Sequence, residues 1–263
     1  MTQLQKIIKY LALAFAFSLI FGILSLVMHI FTVIVDSFNN DVSQGLGGST
    51  IIKNVSILDI EVSFSNIIFK EGDSLKVLTD NKDIKINQSN NKLFITEKKT
   101  NWFSKHSDSD LIIYIPTNFV FDEVSVESGA GKIEISTLIT RKLDFELGAG
   151  QVLVSNLSVL DNASIDGGAG KLSIVDSSIH NLELDMGVGE LNLRSELIGT
   201  NDIDAGIGKV TLNLLGSSYK IKVDKGIGST TINGEEVKDD TNYGNGNNIL
   251  NINGGVGSIS VSY

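Results

Sequence analysis

Glu127, Glu146, Asp166, Asp185, Asp204 and Asp224 each stand two residues before a glycine at a regular interval, and Asn253 takes the seventh such place. Regularly spaced acids suggest two chemistries: a ladder of calcium ions, since hard cations take several oxygen ligands, or paired carboxylates that cleave a glycosidic bond. The spacing argues against both. The calcium-binding G-G-x-G-x-D repeat needs an acid two places after the second glycine of its G-x-G, where this chain has Ile133, Leu172 and Val210. Carboxylate pairs occur in every turn and so mark no unique catalytic site. The acids read as solvated or turn-capping groups, with Lys132, Lys171 and Lys209 close enough in sequence to offset part of their charge.

Other familiar constellations fail in the same way. GAGK occurs at 129–132 and 168–171, but a nucleotide-binding loop needs G-x-x-x-x-G-K-[ST] between a strand and a helix, and no helical pattern follows here. His29, His106 and His180 have no ligand spacing, and the chain has no cysteine, so thiolate metal sites and cysteine nucleophiles are excluded. No metal, cofactor or enzymatic activity is expected. A net charge of −10 excludes nucleic acid as a partner, because that binding rests on neutralising phosphates. One segment stands apart: EKKTNWFSKH gathers Lys98, Lys99, Trp102, Phe103, Lys105 and His106 in an acidic chain. Such a loop either touches lipid headgroups or an anionic wall polymer, or covers an open end of the core.

The elements that position these groups follow from an internal repeat. ESGAGKIEIS, ELGAGQVLVS, DGGAGKLSIV, DMGVGELNLR, DAGIGKVTLN, DKGIGSTTIN and NGGVGSISVS share one pattern. Their glycine pairs are Gly129 and Gly131, Gly148 and Gly150, Gly168 and Gly170, Gly187 and Gly189, Gly206 and Gly208, Gly226 and Gly228, and Gly255 and Gly257. The steps are 19 or 20 residues except the last, which is 29. Three places before the first glycine every turn has an apolar residue, from Val126 to Ile252, and one place after it another, from Ala130 to Val256. Four and six places after it the columns are again aliphatic, apart from Thr230. Alternation of period two is a half-buried strand. One such unit cannot bury its apolar side alone, whereas stacked units form a continuous interior.

The expected fold is therefore all-β: a parallel β-solenoid of 19–20-residue turns over residues 127–263. The paired glycines are its structural corners, where a side chain would demand positive φ or block the next turn. Residues 51–126 carry less regular strand-like runs and read as earlier turns or a cap. The sole proline, Pro116, ends LIIYIP at a strand edge. After the polar insertion at 234–246 the chain stops at Tyr263 behind a full strand. Either the insertion folds over that C-terminal end, or the end recruits a partner by self-association.

Tyr10 to Val35 has 26 residues without Asp, Glu, Lys or Arg, enough to cross a bilayer as one helix. Lys6 and Lys9 precede it and Asp36 follows, so the positive-inside rule leaves residues 1–9 in the cytoplasm and sends the solenoid across, behind a linker at 36–50. Cleavage after Ala14-Phe15-Ala16 is the competing reading, but some twenty apolar residues would remain beyond it.

The irregular strands from Ile51, the segment LIIYIPTNFVFDEVSVE and the G-x-G turns together resemble the bacterial putative-adhesin family, a domain of unknown function found behind a transmembrane helix. The resemblance covers about residues 50–263 and implies a parallel β-solenoid in the cell envelope. It transfers no binding residues. The expected role is a non-enzymatic binding or scaffold protein of the envelope; the alternative is a sensing or self-assembling module acting through protein contacts.

Overall fold

The computed structural model describes residues 50–98, 109–237 and 242–263. The chain divides into two compact units, Met1–Val42 and Ser43–Tyr263, and every described residue belongs to the second. The expected membrane helix at 10–35 lies outside the described residues. Among the described residues no helix is long and apolar enough to cross a membrane; they are built from strands and turns.

Seven short strands come first: β1 Thr50–Ile51, β2 Ile57–Val62, β3 Asn66–Gly72, β4 Lys76–Thr79, β5 Ile84–Ser89, β6 Lys92–Glu97 and β7 Asp110–Pro116. Five long ones follow: β8 Val120–Ile135, β9 Leu138–Ser155, β10 Leu157–His180, β11 Leu182–Ile198 and β12 Thr200–Leu214. The last five are β13 Tyr219–Asp224, β14 Ile227–Ile232, β15 Glu235–Glu236, β16 Asn242–Tyr243 and β17 Asn248–Ser262.

The long strands stack in parallel and in sequence order from β8 to β12. Repeat columns meet one another: Val126 pairs with Phe145, Phe145 with Ile165, Ile165 with Leu184 and Leu184 with Ile203. All five are buried, as are Ile133, Val152, Leu172, Leu191 and Val210 four places after the glycine. Each turn thus places its period-two apolar residues in one continuous core, and each contributes about 1.5–3 kcal/mol of burial against the entropy of ordering the chain. A second corner column uses asparagine. Asn156 and Asn181 have φ of 49° and 47°, a region Asn tolerates better than most residues. Their side-chain amides donate to Ser136 O and Asp161 O on the preceding turn, at 3.1 and 2.8 Å.

At both ends the stacking leaves sequence order. At one end β8 pairs with β2 and β3 as a single rung, and these pair in parallel with β6 and β7. Antiparallel strands then cover that end: β5 on β6, β4 on β7 and β1 on β4. At the other end the C-terminal strand β17 lies between β12 and the pair β13 and β14, parallel to both. The expectation that Tyr263 closes the stack is therefore corrected. The outermost rung is Tyr219–Ile232, and β16 and β15 add two residue pairs each to its outer edge.

Electrostatics supply a reason for this order. Sequence-order stacking would set Asp224 beside Asp204. The inserted strand instead places Asn253 between them in register, and the Asn253 amide donates to the Asp204 carboxylate. Asn251 donates likewise to Asp202 at 2.8 Å. The neutral Asn253 thus interrupts a run of like charges, which repel when directly opposite, while Asn251 lies between Asp202 and Lys222.

Candidate functional site

The glycine corners form one edge of the stack. The second glycine of each pair has φ between +135° and +147°, from Gly131 through Gly150, Gly170, Gly189, Gly208, Gly228 and Gly257, a region L side chains rarely adopt. The first glycine is excluded from substitution by proximity instead. A Cβ on Gly148 would lie 2.1 Å from Gly129 O, and one on Gly206 would lie 2.0 Å from Gly187 O. Gly226 combines both constraints, with φ of +60° and 2.0 Å to Gly254 O.

Close stacking of bare backbone turns the intervening residue outward. The apolar column after the first glycine is not core: Val188, Ile207, Val256 and Ile227 are 52, 57, 47 and 72% exposed. They are register neighbours on β11, β12, β17 and β14. Ala130, Ala149 and Ala169 continue the column toward the other end. The edge is thus an aliphatic ridge with glycine on both sides.

At the β2–β3 rung the corner is Ser63-Phe64-Ser65, without glycine. Its backbone N–H groups have no further glycine corner to meet, and the Glu97 carboxylate accepts them, from Ser63 at 2.7 Å, Phe64 at 2.9 Å and Ser65 at 3.3 Å. The Ser65 hydroxyl and the Asn81 amide also donate to it, at 2.9 and 2.7 Å. Burial alone would push the Glu97 carboxyl up, but the bonds from Phe64, Ser63 and Ser65 outweigh it and hold it below the usual glutamate value. The composition of the repeat gave no sign of this cap, because Glu97 belongs to the aromatic-basic segment rather than to a turn.

Beside the ridge runs the acid ladder. Glu127, Glu146, Asp166, Asp185 and Asp204 are successive register partners, about 4.8 Å apart from strand to strand. Burial, then the charges of Asp166, Glu123 and Asp59, raise the Asp144 carboxyl above its ordinary value. Burial, then Asp144 and Asp166, raise Glu146. Burial, then chiefly Asp204 and Asp166, raise Asp185. Two of the lysines expected to offset the ladder pair with other acids: Lys132 with Glu134, and Lys171 with Glu190 at 3.3 Å. Among the described residues no three acidic or histidine side chains converge to hold a metal ion.

Of the aromatic-basic segment, Lys98 is described and exposed, its N–H donating to Asp83 O at 2.8 Å. Lys99, Trp102, Phe103, Lys105 and His106 lie outside the described residues. Lys98 and Ser109, which flank them, sit at the end of the stack capped by β1, β4 and β5.

Comparison with known proteins agrees with this architecture. The family model for Toastrack DUF4097 matches residues 55–248. A crystal structure of a putative adhesin from Bacteroides fragilis superposes with a TM-score of 0.50 at 17% identity, covering 83% of this chain and 98% of that one. A putative cell adhesion protein from Clostridium sporogenes aligns over 83% of this chain and 99% of its own at 15% identity, with a TM-score of 0.35. No curated protein sequence matches.

Proposed function

The chain belongs to the Toastrack DUF4097 family, and we propose from that premise that it is a non-enzymatic, adhesin-like binding or scaffold protein of the bacterial cell envelope. In this reading residues 10–35 anchor it in the cytoplasmic membrane with the solenoid outside. The observation that carries the reading is the repetition of one outward pattern from β8 to β12: a column of alanine and aliphatic residues beside a carboxylate ladder. A surface of this kind binds through many equivalent weak contacts along an extended partner, rather than through one convergent pocket. The Bacteroides fragilis relative, whose fold it shares, is described as a putative adhesin, which supports the same role.

β1 lies on the capped end that also holds Lys98 and Ser109. In this reading the aromatic-basic segment contacts headgroups or wall polymer, and the ridge residues Val256 and Ile227 contact an extended partner. Cosedimentation of the full chain in detergent with purified cell-wall polymer, and flotation with vesicles containing anionic lipid, test the reading. Loss of polymer binding in an Ile207→Ser, Val256→Ser chain supports the ridge. Loss in a Trp102→Ala, Lys105→Glu chain moves the contact to the segment. An unmodified chain that binds neither polymer nor vesicles overturns the reading.

A further inference from the structure

We propose that β17 is an exchangeable rung, able to leave its place between β12 and the β13–β14 rung and fill the same place in a second copy of the chain. The proposal is independent of the binding role argued above.

Three observations carry it. First, β17 is held on both sides by continuous parallel ladders, from Thr200↔Ile249 to Asn213↔Ser262 and from Tyr219↔Asn248 to Ile232↔Val261. A rung placed between two others, rather than at an end, leaves a slot when it departs. Second, the chain crosses into that slot over glycines. Gly244 has φ of +74°, and Gly246 donates to Tyr219 O at 2.9 Å just before Asn248 donates to Ser218 O at 2.9 Å. A short glycine-rich crossing is where a hinge absorbs large φ and ψ changes.

Third, the outer rung is tied to the stack without β17. The hydroxyl of the buried Tyr219 donates to Leu215 O at 2.6 Å and accepts the Leu197 N–H at 3.1 Å. These bonds fasten β13 back to β11 and the end of β12 and keep the slot's outer wall in place. The slot is also selective. It offers Asp202 and Asp204 to the amides Asn251 and Asn253, and Asn213 to the Ser262 hydroxyl at 2.8 Å. A carboxylate at these two places could donate no such bond, so the amides of β17 suit the slot.

Exchange between copies restores every native contact and alters only the hinge, which is the low-cost route to dimers by swapping an identical element. The intramolecular arrangement is favoured by its high effective concentration, so exchange is expected during folding together or at high concentration.

The test uses the absence of cysteine from the sequence. Thr211 and Ser260 are register partners on β12 and β17 and are not buried. Thr211→Cys and Ser260→Cys chains, full length and carrying different tags, are co-expressed and treated with a short bis-maleimide. The expected result is a band of doubled mass carrying both tags. A chain with both substitutions, crosslinked within itself before mixing, is expected to give no such band and serves as the geometric control. If the double-substituted chain crosslinks within itself but the co-expressed single variants yield no two-tag species even at high concentration, the proposal is overturned. A two-tag species that persists in single variants paired at positions off the slot, such as Thr211→Cys with Ser158→Cys, overturns it equally.

Discussion

The glycine pairs show two separate physical constraints on one edge, and substitution distinguishes them. At Gly189 a methyl would lie 1.8 Å from Gly170 O in a residue whose φ is +143°, so it meets backbone that cannot move without parting two turns. Gly189→Ala is expected to cost about 3 kcal/mol or more, read by chemical denaturation. Gly234 also has positive φ, +83°, but nothing lies within 4 Å of the added carbon, so Gly234→Ala should cost only about 1 kcal/mol. Titration gives a second residue-scale prediction with opposite signs at the two acidic features. The Glu97 carboxyl is held below its usual value, so its contribution is present at neutral pH and lost as pH falls through the folded value. Glu97→Gln should lower the Tm at pH 7, with the gap closing on acidification. Asp185 is held above its usual value, so folding gains as it protonates and loses as pH rises through that value. Asp185→Asn should raise the Tm at pH 7, more at low salt, and the gain should vanish by about pH 3, where carboxyls are largely protonated in either state.

At the scale of elements, period-two columns separate core from surface only where the alternation is unbroken. The column three places before the glycine and those four and six places after it were legible as core because each lies within a strand of strict alternation. The column between the glycines is equally aliphatic, yet it faces out, because the positive-φ glycine turns the backbone between Val188 and Leu191 and resets the phase. Leu193→Ala, at a position with no exposure, should therefore cost about 2–5 kcal/mol. Ile207→Ser, at 57% exposure, should change stability by less than about 0.5 kcal/mol. Equilibrium unfolding of the two variants checks both. The order of the end rungs was not legible, and the reason is the repeat itself. DKGIGSTTIN and NGGVGSISVS carry the same glycine columns and, apart from Thr230, the same apolar ones, so either fits the edge of β12. What distinguishes them is Asn253, whose amide donates to Asp204 where the competing turn would set Asp224. The 29-residue step marked an insertion but not its destination. The Glu97 cap was hidden for a related reason: it serves a corner without the G-x-G pair, so no repeat column points to it.

For the whole molecule, polarity in space follows from polarity in sequence. The chain enters the stack at the end capped by β1, β4 and β5, and the outermost rung at the opposite end is Tyr219–Ile232. If residues 10–35 cross the membrane with Lys6 and Lys9 inside, both ends of the stack lie on the outer side. The cysteine-free sequence makes this directly measurable, since a single engineered cysteine is the only thiol in the chain. In intact cells a membrane-impermeant maleimide should label Ser260→Cys and Lys225→Cys but leave Thr2→Cys unlabelled until the membrane is permeabilised. Labelling of Thr2→Cys alone would invert the topology, and equal labelling of all three after release into the medium would mean that the apolar segment is removed. Retention of the chain in the membrane fraction through a high-salt wash separates a spanning helix from attachment by charge, because screening weakens only the latter.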